Sequence, residues 1–235
     1  MSISVLIIES PGLIDITTED NQGKILAQEL RLLRIHCEYK PIHTSSLLQQ
    51  TLNSHAKYDV IHICCHGSKD GLSFTDGSFL NWDALQSSLL PFMSKRLVML
   101  SACQSAFFKP DATLAKFLQQ ISFDALKAPK CIFTMFGNFY FADGVLAWGV
   151  FYRKFSEELE KNKASVSSCT SRMILNSLRS VKNAELPSVK ICAAYWYEQS
   201  KRYIDISPWK IGEQVVDAIE KGLPIDDNYF NHKKK

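Results

Sequence analysis

The sequence predicts an α/β protein in which helices cover both faces of a mostly parallel sheet. Short apolar runs of strand length alternate along the chain with amphipathic segments at helical spacing, as they do in successive strand–helix units. Of the 235 residues, 46% are hydrophobic and 22% are charged, which is close to the average for globular proteins and allows one sizeable core. We therefore expect a single domain over residues 1–235.

The first half of the chain contains most of the predicted parallel sheet. Continuous apolar runs predict strands at residues 4–8, 37–42, 58–65 and 96–100. Aliphatic residues at helical spacing predict helices at 21–35, 46–54 and 82–90, the last with Asn81 as its N-cap. Residues 72–80 alternate between apolar and polar about Asp76-Gly77, which predicts a β-hairpin.

The second half continues the alternation with longer helices. Helical patterns cover residues 112–121, 143–161, 165–178 and 211–221. Apolar runs predict a strand at 131–136 and a last strand at 189–197. No repeat, linker or low-complexity tract divides the chain.

Composition and charge exclude several classes. No apolar run approaches the roughly 18 residues that a membrane-spanning helix needs, and the N-terminal apolar stretch is too short for a signal peptide. A net charge of +3 with interspersed signs gives no reason to expect direct binding to nucleic acid. Seven cysteines, an odd number, indicate free thiols in a reducing compartment. We expect a cytoplasmic protein with no membrane partner.

Two predicted core strands end in reactive residues. One runs into His66-Gly67, and the strand that follows the hairpin and helix runs through Ser101 into Cys103. Ligands of open α/β sheets bind outside the carboxyl ends of the strands, so neighbouring strands would bring His66 and Cys103 together. An imidazole can convert a nearby thiol to the nucleophilic thiolate and later protonate a leaving amine.

A glycine directly after the histidine completes this pattern. Because Gly67 has no side chain, the backbone can turn sharply there. Its N–H, together with the N–H of Cys103, could then stabilise a developing oxyanion. Acyl transfer through a thioester is the reaction that these groups fit.

These motifs resemble the CHAT family of caspase-like cysteine peptidases. The resemblance rests on the strand that ends in Cys65-His66-Gly67, the Asp76-Gly77 hairpin and the run Leu100-Ser-Ala-Cys103-Gln-Ser. It continues through Ile132–Gly137, Phe141–Gly144 and Phe151-Tyr152, so that it covers roughly residues 4–197.

The resemblance implies a caspase-hemoglobinase-like three-layer sandwich with a His/Cys dyad. By this likeness His66 is the general base and Cys103 the nucleophile of an endopeptidase that cleaves a protein partner and needs no cofactor. Relatives of this kind look like regulated effectors of bacterial antiviral defence or programmed death. The resemblance therefore also implies a sensor or regulatory protein as partner.

Three residues are candidates for the substrate pocket. Relatives that cut after Arg or Lys often carry an acidic residue two positions before the nucleophile, where this chain has Ser101. Glu9 follows the first predicted strand and is either a pocket carboxylate or a solvated loop residue. Asp143 precedes a long predicted helix and is either a second pocket carboxylate or an N-cap.

Two alternatives remain at this stage. Side chains alternate along a strand, so His62, Cys64 and His66 share a face and could hold zinc, although no further motif supplies a fourth ligand. The chain could also be an inactive or latent peptidase fold that acts as a binding module, a reading that the presence of both His66 and Cys103 disfavours.

Overall fold

The computed structural model describes residues 3–12, 21–55, 57–89, 94, 96–105, 129–186, 188–197, 199, 202–209, 212–223 and 225. The strands within these residues are β1 (Ser4–Ser10), β2 (His36–Pro41), β3 (Val60–Gly67), β4 (Gly71–Ser73), β5 (Phe79–Asn81), β6 (Leu97–Ser101), β7 (Cys131–Met135), β8 (Ile191–Tyr197) and β9 (Arg202–Asp205). The helices are α1 (Gln22–Leu32), α2 (Ser45–Ser54), α3 (Trp82–Leu89), α4 (Phe141–Lys161), α5 (Ser171–Asn183) and α6 (Gly212–Glu220).

The main sheet has the strand order β2-β1-β3-β6-β7-β8-β9. Its first five strands are parallel, whereas β8 and β9 pair antiparallel. The predicted α/β class with a mostly parallel sheet is confirmed. The expectation that β8 is the last strand is wrong, because β9 follows it and forms the edge of the sheet.

Two cores lie on opposite faces of the sheet. Alternate residues of each strand face opposite sides; in β1, Val5 and Ile7 join one core while Leu6 and Ile8 join the other. Helices α1, α4, α5 and α6 pack on the first face, and α2 and α3 pack on the second. The protein therefore has the expected three layers.

Local signals set most of the element boundaries. The Asp76-Gly77 hairpin joins β4 to β5, with Leu72 opposite Leu80, and Gly77 takes a φ of +82° that glycine tolerates best. Asn81 caps α3, since its Oδ1 accepts from the N–H of Ala84 at 2.8 Å. Both sequence predictions are confirmed.

The predicted helix at 165–178 is wrong in its first turn. Residues Val166–Ser168 form a separate 3₁₀ turn, and α5 begins after Thr170, whose side chain accepts from the N–H of Met173. Hydroxyl side chains in this stretch bond to the backbone and start the helix anew. The predicted helix at 112–121 lies outside the described residues.

One histidine of the sheet has its side chain fully buried against α4. His62 of β3 is 0% exposed, and a hydrogen bond of 2.9 Å joins its Nδ1 to the hydroxyl of Tyr152 on α4. The Trp148 ring meets it edge-on, with 4.9 Å between ring centroids. Burial lowers the pKa of His62 to about 3, so the imidazole is neutral at pH 7.

We expect His62 to make the fold acid-sensitive. The unfolded chain binds a proton near a pKa of about 6.5 whereas folded His62 stays neutral, so stability is lost as the pH falls below that value. By about pH 5 the loss from this group is ~2 kcal/mol. Urea unfolding of wild type and His62→Gln between pH 7 and 5 should show a shallower loss in the variant. His36→Gln, at an exposed position, is the control, and equal slopes for all three proteins would contradict the expectation.

Candidate active site

The ends of β3 and β6 lie side by side. The last pair in their parallel register is Cys64 with Ser101, so His66 and Cys103 each lie two residues beyond the same pair. His66 is exposed and Cys103 is half-buried. Both line a cleft of about 170 Å³ at the carboxyl edge of the sheet. The structure thus brings the two candidate residues to one cleft.

Gly67 touches the backbone that carries Cys103. A Cβ built at Gly67 would lie 2.4 Å from the carbonyl oxygen of Cys103 and 2.8 Å from the Cβ of Ala102, so any side chain would displace this loop. The N–H of Ser68 donates to the carbonyl of Gly71 at 2.9 Å. Hydrogen-bonded pairs alternate in antiparallel ladders, and the N–H of Gly67 therefore points away from β4.

The turn that follows β6 is attached to the end of β7. Gln104 has a φ of +56°, and its N–H donates to the carbonyl of Gly137 at 2.8 Å. The hydroxyl of Ser105 accepts from the N–H of Met135 at 3.0 Å. These bonds of Gln104 and Ser105 fix the backbone on the carboxyl side of Cys103.

Three polar side chains share one row beneath the dyad candidates. Glu9 of β1 pairs with Cys64, and Cys64 pairs with Ser101, so the three lie in register across adjacent strands and on one face. All three are buried and line the cleft. Burial raises the pKa of the Cys64 thiol well above its usual range, and the hydroxyl of Ser101 accepts from Nε1 of Trp148 at 2.9 Å.

Glu9 caps a helix as well as lining the cleft. Its carboxylate accepts from the N–H groups of Gly23 and Lys24 at 2.8 and 3.3 Å and from the Tyr39 hydroxyl at 2.8 Å. A carboxylate at a helix N-terminus is stabilised by the unpaired N–H groups and the helix dipole. Glu9 is 3% exposed and lies within β1, so its interpretation as a solvated loop residue is wrong.

Asp143 lies in the first turn of α4 and is not among the described residues that line the cleft. Its Oδ2 accepts from the hydroxyl of Ser188 at 2.6 Å, and that hydroxyl accepts from the N–H of Tyr140. The N-cap position belongs to Tyr140, so the N-cap assignment of Asp143 is wrong. Asp143 instead links the start of α4 to the loop before β8.

Further residues line the cleft that sequence reasoning did not assign to it, among them Pro11, Gln22, Phe139 and Phe141. The two phenylalanines follow the Gly137-Asn138 turn at the carboxyl end of β7, and their position after a core strand could have indicated this edge. Gln22 begins α1, and no local signal separates it from an ordinary first-turn glutamine.

The structure gives the zinc alternative no support. No group of three His, Cys, Asp or Glu side chains within the described ranges is arranged to hold a metal ion. His62 is turned into the core against Tyr152, whereas His66 is exposed at the strand end. All seven cysteines are free.

Part of the chain matches a known protein family. Residues 18–125 match the CHAT domain. The resemblance seen in the motifs is thereby confirmed, and CHAT is a family related to caspase-like peptidases. The matched segment covers a little under half of the chain and includes both His66 and Cys103, although it is shorter than the residues 4–197 over which the motifs were followed.

No curated protein matches the chain. In the part of the chain that the structure describes, no helix has both the length and the apolar character needed to cross a membrane.

We expect Gly67→Ala to disturb Cys103 through its backbone. The added methyl group overlaps the Cys103 carbonyl, and overpacking of this kind costs about 1–3 kcal/mol of unfolding free energy. Alkylation of Cys103 by iodoacetamide, followed by intact mass, should also change in rate.

Gly77→Ala is the matched control. Gly77 has a positive φ but no atom within 4 Å of a built Cβ, so we expect a loss of about 1 kcal/mol and an unchanged alkylation rate. Identical behaviour of the two variants would show that the contact between Gly67 and Cys103 has no consequence for the thiol.

Proposed function

We propose that the protein is a cysteine endopeptidase in which His66 is the general base and Cys103 is the nucleophile. The register of β3 and β6 carries this proposal, since it sets both residues two positions beyond one strand pair, in one cleft. The CHAT match over the same segment supports peptidase-related chemistry. His66 is exposed, which gives its imidazole access to substrate and water.

In the proposed mechanism His66 takes the proton of the Cys103 thiol, and the thiolate attacks a peptide carbonyl carbon. A C–S bond forms, the carbonyl electron pair moves to oxygen, and the tetrahedral intermediate collapses as the C–N bond breaks. The imidazolium of His66 gives its proton to the leaving amine. Water, deprotonated by His66, then hydrolyses the thioester and frees the thiol.

The oxyanion would be held by backbone donors. The ladder position of Gly67 directs its N–H away from β4, and the close approach of Gly67 to Cys103 places the two backbones together. Backbone N–H groups fixed before the reaction stabilise developing charge without reorganisation. The bonds of Gln104 and Ser105 to the end of β7 supply that rigidity on the Cys103 side.

A regulated, cytoplasmic effector role in bacterial antiviral defence or programmed death is also part of this proposal. Its support is the family resemblance, which implies a protein substrate and control by a sensor or regulatory protein. This role is a fold-level analogy, separate from the chemistry of the site.

The test is a mass-spectrometric search for new N-termini in a native proteome. Wild-type protein is compared with Cys103→Ala and with Cys192→Ala, which removes a half-buried thiol on β8. We expect cleavages with wild type and Cys192→Ala only, because loss of a nucleophile costs several orders of magnitude in rate. Equal cleavage by Cys103→Ala would overturn the proposal.

Thiol reactivity separates a peptidase from a binding module. A thiolate paired with His66 should react with iodoacetamide at neutral pH at least about tenfold faster than the thiol in His66→Ala. His55→Ala, which removes a histidine that is hydrogen-bonded to Glu38 and is not among the described residues that line the cleft, should leave the rate unchanged. Equal rates in wild type and His66→Ala would favour the binding module.

A further inference from the structure

One buried polar atom in the wall of the cleft has no partner. Gln22 is 8% exposed, and its Nε2 has no hydrogen-bond acceptor among the described residues. The amide lies between α1 and the start of α4, since a Cβ built at Gly144 would come within 2.6 Å of Nε2. A buried donor without an acceptor costs about 1–3 kcal/mol, so an acceptor that enters the cleft would recover this energy.

A second donor lies in the floor of the same cleft. The hydroxyl of Ser101 accepts from Trp148 Nε1, which leaves its own proton available for donation. No described residue accepts that proton, and Ser101 is 1% exposed. Two donors therefore lie in residues that line the cleft, one on β6 and one on α1.

The third polar group of the cleft is an acceptor. Glu9 lies in the same strand row as Ser101, and each carboxylate oxygen can accept more than one hydrogen bond. Its charge opposes the entry of a second carboxylate, because like charges in a buried site repel strongly. Its existing bonds to the start of α1 and to Tyr39 hold it as a fixed acceptor.

We propose that Gln22 is a specificity residue and that the cleft takes an uncharged amide side chain, asparagine or glutamine, before the scissile bond. The amide oxygen accepts from Gln22 Nε2 and the Ser101 hydroxyl, and the amide NH₂ donates to Glu9. This inference rests on the proposed function. Phe139 and Phe141 supply apolar wall for the methylene groups of the side chain.

Other side chains fit these groups less well. A carboxylate would satisfy both donors but face Glu9. A lysine or arginine would pair with Glu9 but leave the Gln22 donor buried without an acceptor. A leucine would leave both donors unsatisfied, and sites built to bond a polar group reject analogues that lack it.

Matched peptidyl chloromethyl ketones test the preference directly. They differ only in the residue next to the reactive group, which is asparagine, leucine, aspartate or lysine, and each alkylates Cys103 with loss of chloride. Second-order rates come from intact mass. We expect the asparagine probe to alkylate Cys103 at least about tenfold faster than each of the other probes. A tenfold ratio corresponds to the free energy of one hydrogen bond.

Two variants of α1 locate the preference. In Gln22→Leu the advantage of asparagine over leucine should fall to within about threefold, since one donor is gone. Gln28→Leu changes an exposed glutamine on the same helix and should keep the wild-type ratio. Because each ratio compares two probes on the same protein, a general change in Cys103 reactivity cancels from it. Iodoacetamide should alkylate Cys103 in Gln28→Leu at the wild-type rate, which shows that a change on α1 outside the cleft leaves the site intact.

The outcomes separate this inference from the proposed function. Preference for lysine, leucine or aspartate, or a ratio unchanged in Gln22→Leu, overturns the specificity assignment while leaving the peptidase proposal in place. Cleavage in the proteome that does not depend on Cys103 overturns the peptidase proposal. An asparagine preference that disappears in Gln22→Leu and persists in Gln28→Leu supports the inference.

Discussion

The parallel register between β3 and β6 is the constraint on which the proposed chemistry depends. The pair Cys64–Ser101 is the last in this register, and His66 and Cys103 each follow it by two residues, His66 within β3 and Cys103 in the turn after β6. A slip of one residue would turn one of the two reactive side chains to the opposite face. Two separate cores hold the register, because each strand contributes buried side chains to both faces and a slip would exchange them.

Helix α4 packs against β3 and β6 on one face of the sheet. Trp148 packs edge-on against His62 and donates to Ser101, and Tyr152 bonds to His62. These contacts join the helix to β3 and β6 at once, so the spacing between the two strands is fixed by an aromatic layer as well as by backbone bonds. Close packing of this kind leaves little freedom for the floor of the cleft, which favours a preorganised site.

The sequence predicted the elements that depend on local pattern. Apolar periodicity located the core strands, and Asn81 and the Asp76-Gly77 turn located a cap and a hairpin. The four-residue strand β9 was missed, because a short edge strand buries too little to leave a periodic signal. The capping role of Glu9 was also missed, since its partners Gly23 and Tyr39 come together only through tertiary packing.

The same limit applies to Gln22, a cleft residue that the sequence did not reveal. A partnerless donor at Gln22 lowers stability, whereas the neighbouring carboxylate of Glu9 has three donors. Both groups lie at the start of one helix, and only one is satisfied within the fold. Folding energy alone would favour an apolar residue at position 22. With the proposed assignment, a ligand acceptor completes this hydrogen bond. Binding then recovers the free energy that the unpaired donor costs the folded protein.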